Sequence, residues 1–233
     1  MTAETESDLP AIPAEIEEEG NKTATERLVF FSDAVIAIAI TLLALELPIP
    51  VGDTTAEAWA SFRGFFDDYL AFLISFVVIA NQWFAHHAIY RYVTRVHRRV
   101  AGVNMLWLLT VVVTPFATRV LVGDTPFPMA FTLYAGIQAV GQLTFLTIIL
   151  MIRHDHLAAA ESTPGGFTKS IARTISFALS FAISIPIAYH THWAYLLWAI
   201  TPYLVRVVSL VLRLRRRSGK DQLQAERSKP AAE

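Results

Sequence analysis

Residues 27–47 read Arg-Leu-Val-Phe-Phe-Ser-Asp-Ala-Val-Ile-Ala-Ile-Ala-Ile-Thr-Leu-Leu-Ala-Leu-Glu-Leu. A helix needs roughly 20 mostly apolar residues to cross a hydrocarbon core of about 30 Å, and this run supplies them. It stops at Pro48 and Pro50, residues that cannot continue a helix. Comparable windows follow at about 65–89, 100–122, 129–152, 171–189 and 193–212. Pro126 and Pro128 part the third window from the fourth, and Ser162-Thr163-Pro164-Gly165-Gly166 reads as a turn before the fifth. The expected fold is therefore all-α, a polytopic membrane protein of six transmembrane helices.

Composition points the same way. Of 233 residues 54% are hydrophobic and 17% charged, against roughly 25% charged in an ordinary soluble domain, and mean hydropathy is +0.45. Lys and Arg number 19 against 20 Asp and Glu, a net charge of -1. Binding to a phosphate backbone needs a basic excess, so no nucleic-acid partner is expected. Without cysteine there is no disulfide, no thiolate nucleophile and no Cys-type zinc site. The chain also lacks a P-loop, a G-x-S-x-G elbow and an H-E-x-x-H helix. An enzyme is the weakest class, and no cofactor or metal is expected.

Sorting Lys and Arg by the segments they flank orients the spans. One side collects Lys22, Arg27, Arg91, Arg95, Arg98, Arg99, Arg153, Lys169, Arg173 and the cluster Arg213 to Lys220, while the other holds Arg63 and Arg119. Both termini are thus expected in the cytoplasm, which an even number of spans satisfies. The location that fits is a bacterial plasma (inner) membrane. Residues 1–26, acidic and poor in apolar groups, are expected to be a disordered cytoplasmic tail. Residues 27–212 form the membrane domain and 213–233 a basic, polar cytoplasmic tail. No positively charged n-region followed by a cleavable h-region is present, so the first hydrophobic segment is expected to be retained as a span. The Arg213 to Arg217 cluster is either a stop signal or a contact with lipid headgroups.

The first span carries a carboxylate, Asp33, which costs on the order of 2.5–3.5 kcal/mol within a membrane segment. It is either a functional group or half of a structural pair between helices. A helix turns about 100° per residue. With Ile38 at zero, that spacing puts Leu42 at about +40°, Leu45 at about -20°, Thr41 at about -60°, Ala34 at about -40°, Phe31 at about +20° and Arg27 at about -20°. These residues form one stripe, which reads either as core packing or as the lining of something. Asp33 lies roughly 140° away, and Ser32 roughly 120° away on the other flank. Asp33 should therefore point into the scaffold and find a partner on a neighbouring helix. Trp83, His86 and His87 of the second span lie at similar depth, because consecutive spans are antiparallel, and a Trp or His N–H can donate to a carboxylate.

Arg27-x-x-x-Phe31-Ser32-Asp33, followed by an Ile/Leu/Ala/Thr-rich run ending Leu45-Glu46-Leu47, resembles the RxxxFSD signature of the transmembrane protein 175 family of potassium channels. Trp83-Phe84-Ala85-His86-His87 and Thr114-Pro115-Phe116 are similar to bacterial members. The resemblance implies a homotetramer of six-span subunits embedded in membrane lipid, with the first helix of each lining a central pore for potassium ions. It implies pore constrictions at Ile38, Leu42 and Leu45, and a hydroxyl layer at Thr41 that contributes to selectivity. It also implies a polar network of Arg27, Ser32 and Asp33 that orients the pore helix, with Phe31 part of the signature. These channels lack the TVGYG carbonyl filter, and so does this sequence. On this reading a ring of Ile38 side chains either dewets and closes or passes a partly dehydrated cation, with modest preference for potassium over sodium, and Arg27 is expected to be tied up by acceptors.

The competing reading is a proton-coupled secondary transporter using Asp33 with His86 and His87. A non-conducting structural subunit is a third. Among weaker signals, His154-Asp155-His156 resembles a metal-binding tract but reads better as a solvated loop. His190 and His192 read as interfacial anchors, and Arg119 and Arg206 either snorkel or meet an acceptor. Glu46, roughly 80° from the stripe, either attracts cations to an outer mouth or sits among headgroups.

Overall fold

The computed structural model describes residues 14–159, 164–198, 200, 201 and 203. Helix α1 spans Ala14–Leu45, α2 Thr55–Gly64, α3 Phe66–Tyr90, α4 Arg98–Val122, α5 Phe127–His154 and α6 Pro164–Ala188, followed by a 3-10 turn at His192–Tyr195. Five of these, α1, α3, α4, α5 and α6, are long and apolar enough to cross a membrane. Among the described residues the only β pairing is a single antiparallel bridge between Val93 and Ala158. The chain is an all-α, multi-pass membrane protein.

Several expected boundaries move. The first helix begins at Ala14, within the segment read as a disordered tail. That start is rich in Glu, a good helix former, and acidic residues near a helix N-terminus suit its dipole. Residues 1–13 lie outside the described ones. Pro164, Gly165 and Gly166, read as a turn, are the first residues of α6. Proline fits a helix start because its missing N–H would have no partner there and its φ is already helical. The expected sixth span, 193–212, opens as a 3-10 turn, has helical residues at 196–198, 200, 201 and 203, and otherwise lies outside the described residues, as does the tail 213–233.

Helix α2 answers to no expected span, since it is too short to be found by a membrane-length window. Its cause is local. Thr54 accepts from the Glu57 N–H at 3.3 Å, and Glu57 accepts from the Thr54 N–H at 3.3 Å, a complete capping box. Phe62 of α2 stacks on Tyr69 of α3 at 4.7 Å, and the Tyr69 hydroxyl donates to the Pro48 carbonyl at 3.0 Å. The turn after α1 is thus held to the start of α3.

Two packed regions share the bundle. In the first, Ile36, Ala39 and Leu43 of α1 meet Ile79 and Ile89 of α3, Trp107 and Val111 of α4, and Phe145 and Ile149 of α5. In the second, Phe131 and Tyr134 of α5 stack on Trp198 at 4.7 and 5.2 Å, with Phe181 of α6 at 5.2 Å. Lipid is as apolar as these side chains, so close packing and hydrogen bonds between helices must hold the bundle. Gly141 serves that packing: a Cβ there would sit 2.7 Å from Thr110 Oγ1, so a larger residue would require Thr110 or the helices to shift.

Candidate functional site

Helix α1 packs on α3 and α4 along one face only. Ser32, Ile36, Ala39 and Leu43 recur at intervals of three and four and are buried. The opposite face is open: Phe31 is 52% exposed, Ile38 59%, Leu42 41% and Leu45 79%. Arg27 and Thr41 are exposed on the same side. The stripe counted from helical periodicity is therefore the unpartnered face of α1 in a single subunit.

Asp33 lies off that stripe, toward α3, where Trp83 Nε1 donates to its Oδ1 at 2.9 Å. His87, one turn on, stacks on Trp83 with ring centres 5.5 Å apart and holds the indole in place. His86 does not join Asp33. It is fully buried, lies parallel to Trp107 at 4.9 Å and bonds to Asn104.

Asn104 of α4 gathers three helices. Its Nδ2 donates to Ser32 Oγ at 2.9 Å, while its Oδ1 accepts from the Tyr90 hydroxyl at 3.1 Å and faces His86 Nε2 at 3.2 Å. Because that oxygen can only accept, His86 carries its proton on Nε2. Ser32 in turn donates to the Leu28 carbonyl at 2.8 Å. Ser32 and Asp33 thus belong to two separate hydrogen-bonded groups. Among the described residues Arg27 has no hydrogen-bonded acceptor, so it is not joined there to Ser32 or Asp33.

On the open face, Thr41 Oγ1 donates its proton to the Ile38 carbonyl at 2.8 Å. That leaves the hydroxyl oxygen with lone pairs only, a ligand suited to a cation. At the far end of α1, Glu46 Oε2 lies 3.7 Å from Arg119 Nε, and Asp68 Oδ1 lies 3.8 Å from Arg119 Nη1. Arg119 therefore meets acceptors, in exposed pairs worth about 0–1 kcal/mol.

The opposite end carries a second polar cluster. His97 caps α4, its Nδ1 accepting from the Val100 N–H at 3.4 Å, so its Nε2 bears the proton and donates to Asp155 at 2.7 Å. His154 Nδ1 reaches the other Asp155 oxygen at 2.7 Å. These two bonds, that from His154 first, hold the Asp155 carboxyl below the usual carboxylate range. The tract 154–156 thus pins one loop to another, and among the described residues no cluster has the ligands for a metal. His192 lies 4.4 Å from the Phe127 ring. Arg206 lies outside the described residues.

Sequence reasoning passed over Asn104 and the pair Gln82 and Gln138, in which Gln82 Nε2 donates to Gln138 Oε1 at 2.8 Å. The available signal was an amide inside an apolar span, such as Asn104 in Val-Asn-Met-Leu-Trp.

Residues 27–115 match the family model described as endosomal/lysosomal potassium channel TMEM175. The matched segment runs from Arg27 through the Asn104 junction. A potassium channel of Streptomyces collinus is 39% identical over 95 residues, which is 41% of this chain and 46% of that one, so the match spans less than half of that relative. A potassium channel of Chamaesiphon minutus is 35% identical over 147 residues, 60% of this chain and 69% of the relative. The crystal structure of a lysosomal potassium-selective channel TMEM175 homolog from Chamaesiphon minutus superposes with a TM-score of 0.63 at 26% identity, covering 81% of this chain and 97% of that one. With its signature on α1 and this extent of likeness, the chain belongs to the TMEM175 family.

Proposed function

We propose that the chain is a potassium channel, a non-enzymatic membrane protein in which four copies place α1 around a central axis and conduct passively. The observation that carries this reading is the two-sided character of α1. One face is fastened to its own subunit through Ser32, Asp33, Ile36 and Leu43, while the other offers Ile38, Leu42 and Leu45 to something outside the subunit. Rings of these side chains make an apolar neck that closes by dewetting or passes an ion stripped of part of its water. Potassium sheds water more readily than sodium, so the neck favours it modestly without a TVGYG filter. The Thr41 oxygen, its proton committed to the Ile38 carbonyl, replaces some of the lost hydration. Arg27, which has no hydrogen-bonded acceptor among the described residues, takes one from a neighbouring copy. The named relatives are potassium channels, which further supports this reading.

The transporter reading has less behind it. Asp33 is bonded to Trp83 and His86 to Asn104, and among the described residues no hydrogen bond joins Asp33 to His86 or His87. Both termini and the ends carrying Arg91 and Arg153 are assigned to the cytoplasm, in a plasma membrane. The test is the purified chain in liposomes under an imposed potassium gradient. Passive potassium flux that persists when any pH gradient is collapsed is the expected result. Flux that requires a proton gradient, or none at all, overturns the proposal.

A further inference from the structure

Among the described residues a wedge remains between α3 and α6, which touch only lightly, because α5 packs on α4 and α6 while α3 packs mainly on α1 and α4. It forms a cavity of about 610 Å³, a size in the range of about 300–1,000 Å³ typical of ligand sites. Its inner walls are apolar, with Phe181 and Trp198 buried, whereas Leu73 and Val77 on its α3 side are exposed on the flank of the bundle. An occupant would therefore enter sideways from the bilayer.

The polar side chains in this cavity come from three helices. Arg173 of α6, Gln142 of α5 and Asn81 of α3 all line it. Arg173 lies nine residues from Pro164, Asn81 nine from Tyr90 and Gln142 twelve from His154. At about 1.5 Å per residue these are depths of roughly 13 to 18 Å from the same end of the bundle. Among the described residues neither Arg173 nor Gln142 has a hydrogen-bond or ion-pair partner. The Asn81 Nδ2 is committed to the Val77 carbonyl at 2.9 Å, and among the described residues its oxygen has no donor. A guanidinium within a membrane span needs an acceptor, and none of the other described side chains lining the cavity is acidic.

We propose that this cavity binds an anionic membrane lipid, with Arg173 on the phosphate and the acyl chain along Ile74, Val78 and Phe177. A guanidinium matches phosphate with two parallel N–H bonds. Gln142 supplies further N–H donors, and Asn81 Oδ1 accepts from a headgroup hydroxyl. A bare anion is disfavoured, since it would leave the apolar walls unfilled. The arginine-rich loops at this end would already attract anionic lipid. The site is built within one subunit, so it stands or falls independently of ion conduction.

The test uses the full chain, purified and stripped of lipid in a neutral detergent, then given dioleoyl phosphatidylglycerol or dioleoyl phosphatidylcholine. Phosphatidylglycerol should raise the thermal midpoint by about 5 °C more than phosphatidylcholine and remain bound in native mass spectra. Arg173→Gln should abolish that preference, and Val77→Trp, which narrows the mouth without touching a charge, should weaken it. The triple change Arg215→Gln, Arg216→Gln, Arg217→Gln should leave it intact. Equal stabilisation by the two lipids overturns the proposal, as does a preference that survives Arg173→Gln or vanishes in the triple variant. Inorganic phosphate stabilising as well as the lipid would assign a bare-anion site instead. Should Arg173→Gln fail to fold, an undiminished preference in Val77→Trp is itself decisive against the site.

Discussion

Trp83 Nε1 donates to Asp33 Oδ1 across 2.9 Å, and this bond fixes the rotation of α1 against α3. A carboxylate in a membrane span has few alternative donors. Trp83→Phe keeps most of the ring's packing but removes the N–H, and should cost about 2 kcal/mol, as expected when a charged acceptor loses its partner. Asp33→Asn keeps an acceptor oxygen and should cost less. Thermal midpoints of the two variants in detergent check the order; a Trp83→Phe midpoint equal to that of the parent chain would show that the bond carries no stability.

Ile38 lies on the open face of α1 and touches little of its own subunit. Ile38→Asn should therefore change the folding stability of the isolated subunit by no more than about 0.5 kcal/mol, the usual bound for surface changes. In the proposed pore the same change puts amides where the neck was apolar. Single-channel recordings should show larger currents and a smaller preference for potassium over sodium. Unchanged currents would remove Ile38 from the pore.

Asn104 offers a contrast, since it serves three partners at once. Asn104→Leu leaves Ser32, Tyr90 and His86 without the bonds they make to it. With two or more buried groups stranded, the loss should exceed about 2 kcal/mol. It should also loosen α1 from α4, read as faster amide exchange along residues 28–36. Exchange at those amides no faster than in the parent chain would show that apolar packing alone seats α1.

Helical period and span length were enough to place the residues of α1. Ser32 and Asp33 fall off the Ile38 stripe by arithmetic, and antiparallel spans bring Asp33 and Trp83 to one depth. The choice of Trp83 over His86 and His87 could not be counted, because it depends on α4. Asn104 captures His86, and nothing in the α3 sequence records that. Helix α2 escaped a membrane-length window because its stability is a matter of four residues, Thr54 to Glu57, rather than of a long apolar run. The start of α6 escaped because Pro164 and two glycines signal a turn in most settings, and only the position of the proline at a helix beginning reverses that.

Close approach of α4 and α5 at Gly141 makes a packing prediction. A methyl group there would meet Thr110 Oγ1 at 2.7 Å, and that hydroxyl is held by the Trp107 carbonyl at 2.7 Å. Threonine can turn to a second χ1 well in a helix, but doing so gives up the bond to the Trp107 carbonyl, so either that bond is lost or the backbones separate. Gly141→Ala should cost about 1–3 kcal/mol as an overpacking change, and pairing it with Thr110→Ala should recover most of the loss. A double variant no more stable than Gly141→Ala would place the strain elsewhere.

Asp155 predicts how the loop end responds to acid. Bonds from His154 and His97 hold its carboxyl below the usual range, so the charged form is favoured in the folded chain. A depressed carboxyl contributes stability that is fully present above its unfolded value of about 4 and is lost as pH falls through that value toward the folded one. The loss should register locally, since Asp155 orients His97, which caps α4, and the adjacent loops are bridged by Thr94 N–H to the Leu157 carbonyl at 3.0 Å. Asp155→Asn should remove this acid-side loss, so that its thermal midpoint falls less than that of the parent chain between pH 5 and pH 3, while starting lower at pH 7. Parallel midpoint curves for the two proteins across that window would mean that the Asp155 bonds to His154 and His97 do not contribute to the fold.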